Sequence, residues 1–510
     1  MGSEVDTHLL LKGSKPGAAA AGWGLFTLRF MRSELFAHYL DDRTRVGPAP
    51  ESAFTGAAGG AACGDLARVS LLVQDGRVAE VTFEAEGCAA TRAATAAVAD
   101  LVEGEAILDV ARVGTTEVTD ALGGLGPAHR HAAGLAADAL HRGLAAAAGS
   151  GKRLAPPGTG RVLVAMSGGV DSAVAALLER DRGAEVVAVT LKLWADPETD
   201  GAKACCSPEA VVSARSLAHS LGIPHLTLDL EQEFRRKVVA EFLSGYSAGT
   251  TPNPCVLCNG DVRIAAMVAL AERLGAGQLV TGHYARLIDD GEGILLGAAA
   301  DASKDQSYML AGLPIALLAH LRFPLAEISK PEVRAIAERR GLAVARKPES
   351  QDLCFLAGQG KREFLRRHGG LRDRPGALLD GGGRELGRHR GHHHFTVGQR
   401  RGIGVAAEEP LYVLATDAGS NTVTVGRREE LGIKRVGVRD AVLHRDGARV
   451  THLKLRYRSL PIPGGPATPL AAGAHRRVEL ELAEPAYGVA PGQTAVLLDG
   501  EAIVGHGTIA

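Results

Sequence analysis

The chain has 510 residues, of which 46% are hydrophobic and 23% charged, and its formal net charge is −1. This length exceeds the roughly 250–300 residues that one hydrophobic core serves, so we expect several domains. The near-neutral total excludes indiscriminate nucleic-acid binding, but it is compatible with a local basic face.

The sequence pattern contains no membrane span and no export signal. No segment reaches the roughly 20 uninterrupted apolar residues that cross a bilayer, and Lys12, Lys15 and Pro16 interrupt the apolar pieces near the N-terminus. The seven cysteines, an odd number, favour catalytic, metal-binding or redox thiols over a disulfide framework. We therefore predict a cytoplasmic protein without a membrane partner.

Residues 33–148 have the pattern of a small α+β domain. Alternating apolar residues at 69–73 and 79–83 flank a Gln-Asp-Gly-Arg turn, which predicts a β-hairpin. The segment 149–159, rich in Gly, Ser and Pro, is typical of a linker. Residues 1–32 are interpreted as a leader, which is either disordered or the product of a gene start placed too far upstream.

After residue 160 the pattern changes to apolar runs separated by amphipathic helices. Strands are predicted at 162–165, 186–193, 226–228 and 279–281. Strands that alternate with helices of this length form a parallel, doubly wound sheet. The fold class is therefore α/β for residues 160–374, followed by small β-barrel domains at 375–432 and 433–510.

A glycine-rich turn from Ser167 to Ser172 follows the strand at 162–165 and precedes a helix. There, successive backbone N–H groups and the helix N-terminus would point at one anion, as in a pyrophosphate cradle. The turn lacks the Gly-Lys-Ser/Thr ending of a Walker loop, which argues against a kinase or GTPase. It resembles the SGGxDS motif of the PP-loop ATP pyrophosphatases, which split ATP into AMP and pyrophosphate while adenylating a substrate.

This resemblance implies ATP as a cofactor, with Asp171 orienting the loop or a Mg²⁺ ion through its hard carboxylate oxygens. The alternative is a glycine-rich turn without a ligand. The residues that the resemblance assigns to the nucleotide are Ala165, Met166, Ser167, Gly168, Gly169, Val170, Asp171, Ser172, Leu191 and Gly282.

Three further motifs select among the reactions that can follow adenylation. Residues 251–259 have the sequence TPNPCVLCN, residues 350–356 SQDLCFL, and residues 392–402 HHHFTVGQRRG. Together with 281–286 and 304–308, they resemble the tRNA-specific 2-thiouridylases from about residue 160 to the C-terminus. The resemblance implies ATP-dependent replacement of the C2 oxygen of a wobble uridine by sulfur, in tRNAs for Lys, Glu and Gln.

The same resemblance assigns the sulfur chemistry to two cysteines. It makes Cys258 the thiol that receives a persulfide sulfur and attacks the activated uridine carbon, and Cys354 the thiol that releases this sulfur by disulfide formation. A thiolate or persulfide is a good nucleophile, and thiol exchange resets the pair. A cysteine desulfurase or another sulfur donor is the implied partner.

Cys255 departs from a common form of this family, which has aspartate at that position. Cys255 and Cys258 form a Cys-x-x-Cys motif, and Cys354 supplies a third thiolate. Three cysteines can hold a four-iron, four-sulfur cluster with one iron open to carry sulfide, so cluster-bound delivery stands beside the persulfide as a second mechanism. The adjacent Cys205 and Cys206 are interpreted as structural.

Basic residues cluster at 361–374 and 384–401, which predicts a local phosphate-binding face for tRNA. A wobble uridine lies in an anticodon loop, whose bases can be splayed out and read without melting a duplex. The histidines at 392–394 are interpreted as an RNA contact rather than a metal site. The residues that the resemblance assigns to the target base or to tRNA are Asn253, Pro254, Cys255, His283, Asp305, Gln306, Ser307, Arg456, Tyr457 and Gln493.

The N-terminal domain resembles iron–sulfur scaffold proteins of the IscU/NifU type through residues 62–65, Ala-Cys-Gly-Asp, and 86–89, Glu-Gly-Cys-Ala. The implied ligands are Cys63, Asp65, Cys88 and His131, while Ala132 stands where the family has its third cysteine. Such a set suits zinc or a labile iron–sulfur cluster. We expect the domain either to dock a desulfurase and deliver sulfur or a cluster through the linker, or to be a degenerate domain kept for docking or stability.

Two other functions would use part of the same pattern. Another synthetase on the same ATP loop would explain residues 161–172, but it would leave Cys258, Cys354 and the basic β region without a role. An iron–sulfur scaffold that binds RNA without thiolation turnover would make the N-terminal domain the main function. Such a protein would carry a cluster and would not consume ATP when tRNA is present.

Overall fold

The computed structural model describes residues 34–60, 64–196, 207–348, 353–356 and 358–510. The predicted leader lies outside these residues, as do Cys63, Cys205 and Cys206. Contacts divide the chain into an N-terminal unit, with residues up to 74, 78–105 and 113–143, and a C-terminal unit that holds the rest.

Alternating apolar residues build the sheet of the N-terminal unit. Its strands are β1 (Phe54–Gly59), β2 (Leu66–Gln74) and β3 (Arg77–Glu86), paired in this order. The neighbouring strands β2 and β3 confirm the predicted hairpin. The helix Ala89–Val102 packs against β2 through a face rich in buried alanine, whose small side chains permit close approach. The other helices before residue 150 are Glu34–Asp41, Ile107–Val110, Thr115–Ala121 and Arg130–Gly149.

A parallel five-stranded sheet forms the centre of the C-terminal unit. Its strands are β4 (Arg161–Ala165), β5 (Glu185–Lys192), β6 (His225–Asp229), β7 (Gln278–Thr281) and β10 (Leu321–Arg322). They lie in the order β10-β7-β4-β5-β6, which confirms the predicted doubly wound sheet. Because the strand order reverses beside β4, the carboxyl ends of β4 and β7 flank the position where such sheets bind ligands.

Helices of the C-terminal unit bury their apolar faces against this sheet. Valines of β4 share one core with the helices Val170–Asp181, Pro208–Ser220 and Lys330–Arg339. The segment Pro254–Arg273 is long and apolar enough to cross a membrane, but 61% of it is buried inside the protein, as expected for a core helix. Further helices are Glu231–Phe234, Ala240–Ser247, Pro254–Cys258, Ile264–Arg273, Ser307–Leu310, Ile315–Leu318 and Gly360–Gly369, with π-helical turns at Arg235–Val239 and Asn259–Arg263.

Two further sheets follow the nucleotide-binding region. The first consists of β11 (Gly376–Leu379), β12 (Glu385–His389), β13 (Tyr412–Asp417) and β14 (Thr422–Gly426), in the order β12-β11-β14-β13. The second contains β15 (Gly432–Leu443), β16 (His452–Lys454), β17 (Ile462–Pro466), β18 (Gly473–Tyr487), β19 (Thr494–Asp499) and β20 (Ala502–Ile509). Pairing of β15 with β20 closes these six strands into a barrel.

One hairpin joins a different sheet from the one its sequence position suggests. The strands β8 (Arg286–Asp289) and β9 (Ile294–Gly297) lie within the range assigned to the nucleotide domain, but β9 pairs with β20 of the barrel. The barrel and the parallel sheet are therefore interleaved along the chain.

Candidate functional site

The loop between β4 and the helix Val170–Asp181 has the shape of an anion cradle. Gly168 has a φ of +68°, a left-handed conformation that favours glycine. The Ser172 hydroxyl accepts the Ser167 N–H at 3.2 Å and donates to the Gly169 carbonyl at 3.1 Å, which ties the two ends of the loop together. The unpaired N–H groups of a helix's first turn favour an anion at this position.

Gly282 lies directly against this loop. A Cβ atom at position 282 would be 2.7 Å from the Ser172 nitrogen, so only glycine lets the end of β7 approach so closely. The other residues assigned to ATP lie on the neighbouring strands: Ala165 ends β4, Met166 donates its N–H to β5, and Leu191 is buried on β5. The structure thus brings the residues assigned to ATP to one edge of the sheet.

Two side chains that the motifs did not identify hold Asp171. Lys330 Nζ lies 2.7 Å from both carboxylate oxygens, and the Tyr284 hydroxyl donates to Oδ1 at 2.9 Å. The Lys330 side chain is only 8% exposed. Because an ammonium bonds both oxygens, the geometry fits a loop-orienting role of Asp171 better than direct Mg²⁺ ligation. A second ammonium, that of Lys347, bonds the Gly168 carbonyl at 3.0 Å.

Residues assigned to the target base fix the start of the Cys258 helix. Asn253 caps the helix Pro254–Cys258 by accepting a first-turn backbone N–H at 3.4 Å, and Pro254 occupies the first turn. Cys255 is half-buried, whereas Cys258 is buried with 6% exposure. The helix therefore presents its two thiols with different access to solvent.

The π-helical turn Asn259–Arg263 follows Cys258 and leads into the helix Ile264–Arg273, which packs against β7. Burial, reinforced by the positive charge of Arg263, lowers the pKa of His283 to about 3, so this imidazole is neutral at physiological pH. His283 bonds the Thr281 hydroxyl at 2.8 Å and directly follows the glycine that lies against the ATP loop. Turns of this kind recur at functional sites.

Cys354 lies next to an aromatic cluster. The following residue, Phe355, is buried, and its ring centroid is 5.7 Å from that of Phe234 and 5.0 Å from that of Phe242. These two phenylalanines belong to one helical segment, residues 231–247. The aromatic contacts therefore anchor the Cys354 segment to this segment.

The Cys258 helix contacts the same segment. Pro254–Cys258 packs against the π-helical turn Arg235–Val239, which lies between the two phenylalanines in sequence. Both cysteine-bearing segments therefore pack against one helical segment. Residues 350–352 of the Cys354 motif lie outside the described residues.

The barrel holds the chain just before the Cys258 helix. Gln493 Nε2 donates to the Thr251 carbonyl at 2.8 Å and lies 3.4 Å from the Pro252 carbonyl. The Thr251 N–H donates to the Pro491 carbonyl at 2.7 Å. Gln493, which the resemblance assigns to tRNA, thus holds the backbone of the residues that precede the Cys258 helix.

The residues Asp305, Gln306 and Ser307 build a turn through their own side chains. Asp305 accepts hydrogen bonds from the Ser307 N–H and hydroxyl, and the Gln306 side-chain carbonyl accepts the Tyr284 N–H at 3.0 Å. Ser307 is buried. Of the other residues assigned to tRNA, Arg456 is exposed and Tyr457 is half-buried.

The two basic segments differ in how many of their charges face solvent. In the first, Arg367 forms a bidentate salt bridge with the buried Asp196, and Lys361 lies 4.4 Å from the Tyr246 ring, with its pKa lowered to about 8 by burial. In the second segment, the charged residues that are exposed are Arg384, Arg388, Arg390, Arg400 and Arg401 together with Glu385. In the first segment Arg362, Arg366, Arg372 and Arg374 are exposed as well, so both segments offer surface arginines that could meet phosphate.

The histidines at 392–394 are built into the fold. His392 lies 3.2 Å from the Ser247 carbonyl, and His394 lies 3.0 Å from Asp373. His393 is buried, and burial lowers its pKa to about 4. These contacts fit neither a metal site nor an exposed RNA contact centred on His393.

Three of the four ligands predicted in the N-terminal unit converge. The ligand atoms of Asp65, Cys88 and His131 lie within 4.8 Å of one another. Cys88 Sγ is 3.2 Å and His131 Nε2 is 3.4 Å from Asp65 Oδ2, to which the Thr91 hydroxyl donates at 2.7 Å. Cys63 lies outside the described residues, and Ala132 is buried.

Hydrogen bonds keep Asp65 ionised. Burial of this side chain raises its pKa, but bonds from Thr91, Cys88 and His131 outweigh burial and lower the pKa to about 2. A carboxylate, a thiol and an imidazole suit zinc. In the described part of the chain no other three such ligands lie this close, so Cys255, Cys258 and Cys354 do not form a single-ion site there.

Family models match the chain in four consecutive pieces. The NifU-like N terminal domain matches residues 31–152, and the tRNA methyl transferase HUP domain matches 160–358. The tRNA methyl transferase PRC-barrel domain matches 362–427, and the aminomethyltransferase beta-barrel domain matches 441–509. Fold and site thus define an enzyme in which a NifU-like domain precedes a HUP-type nucleotide-binding domain and two β domains.

Curated relatives share this organisation. A bifunctional protein NifU/MnmA of Rubrobacter xylanophilus is 48% identical over 468 residues, which cover 89% of this chain and 93% of the relative. The tRNA-specific 2-thiouridylases MnmA of Acidithiobacillus ferrooxidans and Syntrophotalea carbinolica are 42% and 43% identical, each over 68% of this chain and 98% of the relative. The chain therefore belongs to the bifunctional NifU/MnmA family, which places it among the tRNA sulfurtransferases.

Proposed function

We propose that the C-terminal unit is a tRNA 2-thiouridylase that uses ATP to replace the C2 oxygen of a wobble uridine by sulfur. The observation that carries this proposal is that the segments bearing Cys258 and Cys354 pack on one helical segment, while the helix Ile264–Arg273, which follows Cys258 in the chain, packs against β7, whose end lies beside the ATP loop. Groups for adenylation and for sulfur transfer thus belong to one folded unit.

Three bond exchanges complete the reaction. The uridine C2 oxygen attacks the α-phosphorus of ATP and expels pyrophosphate, which turns this oxygen into a leaving group. A persulfide on Cys258 then attacks C2, forming a carbon–sulfur bond, and AMP departs. The Cys354 thiolate attacks Cys258 Sγ and breaks the sulfur–sulfur bond, which leaves 2-thiouridine and a Cys258–Cys354 disulfide. A thiol reductant reduces this disulfide before the next turnover.

The chain's own residues would supply positioning rather than covalent chemistry at the nucleotide. The loop N–H groups and the helix N-terminus would hold the phosphates, while Lys330 and Tyr284 fix Asp171. Mg²⁺ would add charge neutralisation at the phosphates, and no step above depends on it. The substrates would be cytoplasmic tRNAs for Lys, Glu and Gln, and the sulfur donor a cysteine desulfurase.

A cluster-bound sulfide is the second mechanism that these cysteines support. Cys255 and Cys258 share one helix, and Cys255 and Cys354 are both half-buried. A four-iron cluster on the three thiolates would place its open iron near the base. The two mechanisms differ in whether Cys255 is required.

The N-terminal unit would supply sulfur or a cluster to the C-terminal unit. Asp65, Cys88 and His131 would hold zinc or iron, and the short linker would raise the effective concentration of the two units for each other. A domain kept only for docking is the alternative.

Thiolation of unmodified tRNA by the full chain tests the main proposal. We expect Cys258→Ser and Cys354→Ser to lower 2-thiouridine formation, measured by mass spectrometry of digested tRNA, by at least about 10³-fold. Cys258→Ser should still release a burst of pyrophosphate, because adenylation precedes sulfur attack. Wild-type rates of thiolation in Cys258→Ser would contradict the proposal.

Cys255→Ser separates the two sulfur carriers. The persulfide mechanism predicts nearly full thiolation and no iron after anaerobic purification. The cluster mechanism predicts loss of both iron and activity. Either result decides between the carriers without affecting the assignment of Cys258.

Cys88→Ser tests delivery by the N-terminal unit. If this unit passes sulfur on, the variant should lose thiolation with a desulfurase as donor but keep it with inorganic polysulfide, whose sulfane sulfur can pass to Cys258 without an oxidant. Equal rates for both donors in variant and wild type would leave docking as the role of this unit.

A further inference from the structure

Two lines of hydrogen bonds join Asp171 of the ATP loop to the turn at 301–307. The first line runs through Tyr284. Its hydroxyl donates to Asp171 Oδ1 at 2.9 Å, while its backbone N–H donates to the Gln306 side chain at 3.0 Å and its carbonyl accepts the Gln306 N–H at 2.8 Å. A single buried residue therefore contacts both the loop and the turn.

The second line runs through Lys330. Its ammonium bonds both oxygens of Asp171 at 2.7 Å, and its backbone N–H donates to Asp301 Oδ2 at 3.0 Å. Asp301 in turn accepts hydrogen bonds from the N–H and hydroxyl of Ser303 at the start of the turn. Lys330 thus fixes the loop by its side chain and the turn by its backbone.

The position of Lys330 in its helix makes this link sensitive to charge. The residue lies in the first turn of Lys330–Arg339, where the helix dipole disfavours a cation, and its side chain is 8% exposed. Asp171 offsets this cost in the absence of a ligand. Phosphates bound in the cradle would add negative charge beside the same ammonium and redistribute its bonds.

We propose that Tyr284 and Lys330 are positioning residues that couple occupancy of the ATP loop to the conformation of the 301–307 turn, so that ATP and tRNA bind with linked affinities. This rests on the proposed function, in which the turn meets tRNA. Linkage is reciprocal: if tRNA tightens ATP binding, ATP tightens tRNA binding by the same factor. ATP would thereby bind preferentially to an enzyme that already holds the tRNA to be adenylated.

The test measures binding of an ATP analogue with a methylene between its α- and β-phosphates, so that no reaction occurs. For the wild type, we expect saturating tRNA to change the analogue's dissociation constant by at least about fivefold. Tyr284→Phe, which loses only the hydroxyl, and Lys330→Met, which keeps much of the side-chain length, should each reduce this factor to less than half. Lys347→Met is the matched control, because its ammonium bonds a carbonyl of the same loop.

The outcomes separate this inference from the proposed function. Weaker analogue binding with the wild-type factor retained in Tyr284→Phe and Lys330→Met would mean a merely structural role and would overturn the inference, as would a wild-type factor of one. The proposed function would survive both results. A wild type that binds neither ligand would overturn both. A factor lost in the two variants but kept in Lys347→Met would support the coupling.

Discussion

The thiols of the two units are held in different ways. In the N-terminal unit, Cys88 Sγ lies 3.2 Å from Asp65 and 3.4 Å from Thr91, so the reactive groups bond one another. In the C-terminal unit, Cys258 and Cys354 belong to separate segments. Contacts of neighbouring residues hold these segments: an aromatic cluster, a helix cap and the hydrogen bond of Gln493 from the barrel.

This difference corresponds to two kinds of chemistry. A metal site needs several donor atoms in one fixed constellation, and mutual hydrogen bonds hold such a constellation in the absence of the ion. Sulfur transfer needs thiols that meet a donor, a base and each other in turn. Contacts made by neighbouring residues fix the cysteine segments without requiring the sulfur atoms to bond one another. Substitutions of supporting residues should therefore affect the two units differently.

The largest effect is expected on ATP affinity, at the close steric contact between Gly282 and the ATP loop. In Gly282→Ala the new Cβ would lie 2.7 Å from the Ser172 nitrogen and must displace the ATP loop. Overpacking of this kind costs about 1–3 kcal/mol, so ATP affinity should fall about 10- to 100-fold, as measured by calorimetry. Gly277→Ala, at the other end of β7, is the control, because its Cβ would meet its nearest atom at 4.0 Å. Equal losses in both variants would contradict the contact.

A smaller effect is expected from a hydrogen bond that supports a ligand. Thr91→Val removes the 2.7 Å bond to Asp65 while preserving shape, and it should weaken zinc binding by about tenfold. Thr95→Val is the matched control, because Thr95 is equally buried on the same helix and its hydroxyl donates to the Thr91 carbonyl instead of to Asp65. A competition titration with a chromophoric chelator measures both variants. Unchanged zinc affinity in Thr91→Val would show that Asp65 is held by other means.

The same substitution should shift the acid dependence of this site. The pKa of Asp65 is lowered to about 2. The ionised carboxylate therefore stabilises the folded unit above pH about 4, and this stabilisation is lost as the pH falls through 2. Loss of the Thr91 bond raises this pKa. Zinc should therefore leave Thr91→Val at a higher pH than it leaves the wild type in an acid titration.

Much of the architecture could be predicted from sequence because its signals are local. The strand before Ser167, the glycine turn and the helix after it are contiguous, and the predicted strands match β4 to β7 within one or two residues. The hairpin β8–β9 lies within residues 160–374, the range predicted for the nucleotide domain, yet it pairs with the barrel. Its own pattern is local, but its partner β20 lies about two hundred residues further along the chain.

The site was predicted less completely for the same reason. Cysteines and glycines in motifs were found, whereas Lys330 contacts Asp171 across 159 residues. A signal for Lys330 was present nonetheless. Ser329 and Glu332 form a capping box that begins a helix, and a lysine in such a first turn opposes the helix dipole and calls for an acidic partner. The partner itself could be identified only from the fold.

Gln493→Ala tests support of the Cys258 helix from the barrel. Loss of the 2.8 Å bond to the Thr251 carbonyl leaves that carbonyl without this donor, which should lower kcat, the rate at saturating tRNA, by about 2- to 10-fold. Thr451→Val is the control, because it removes hydrogen bonds elsewhere in the same barrel, including one to the Leu498 carbonyl. If Gln493 contacts tRNA instead, the change should appear in tRNA affinity, measured by filter binding, rather than in the rate at saturating tRNA.

The smallest effect on tRNA binding is expected from substitution of single surface arginines. Here the comparison is between an arginine paired with an acidic side chain and exposed arginines in another motif. Arg384 is held by Asp380 at 3.1 Å, whereas Arg400 and Arg401 are exposed in the motif that resembles tRNA-binding sequences. Each arginine that neutralises a phosphate contributes about 0.7–0.9 to the slope of log affinity against log salt. Arg400→Ala and Arg401→Ala should each reduce this slope by about that amount, and Arg384→Ala should change it less. Equal slopes for all three would mean that an acidic neighbour does not decide which arginines meet tRNA.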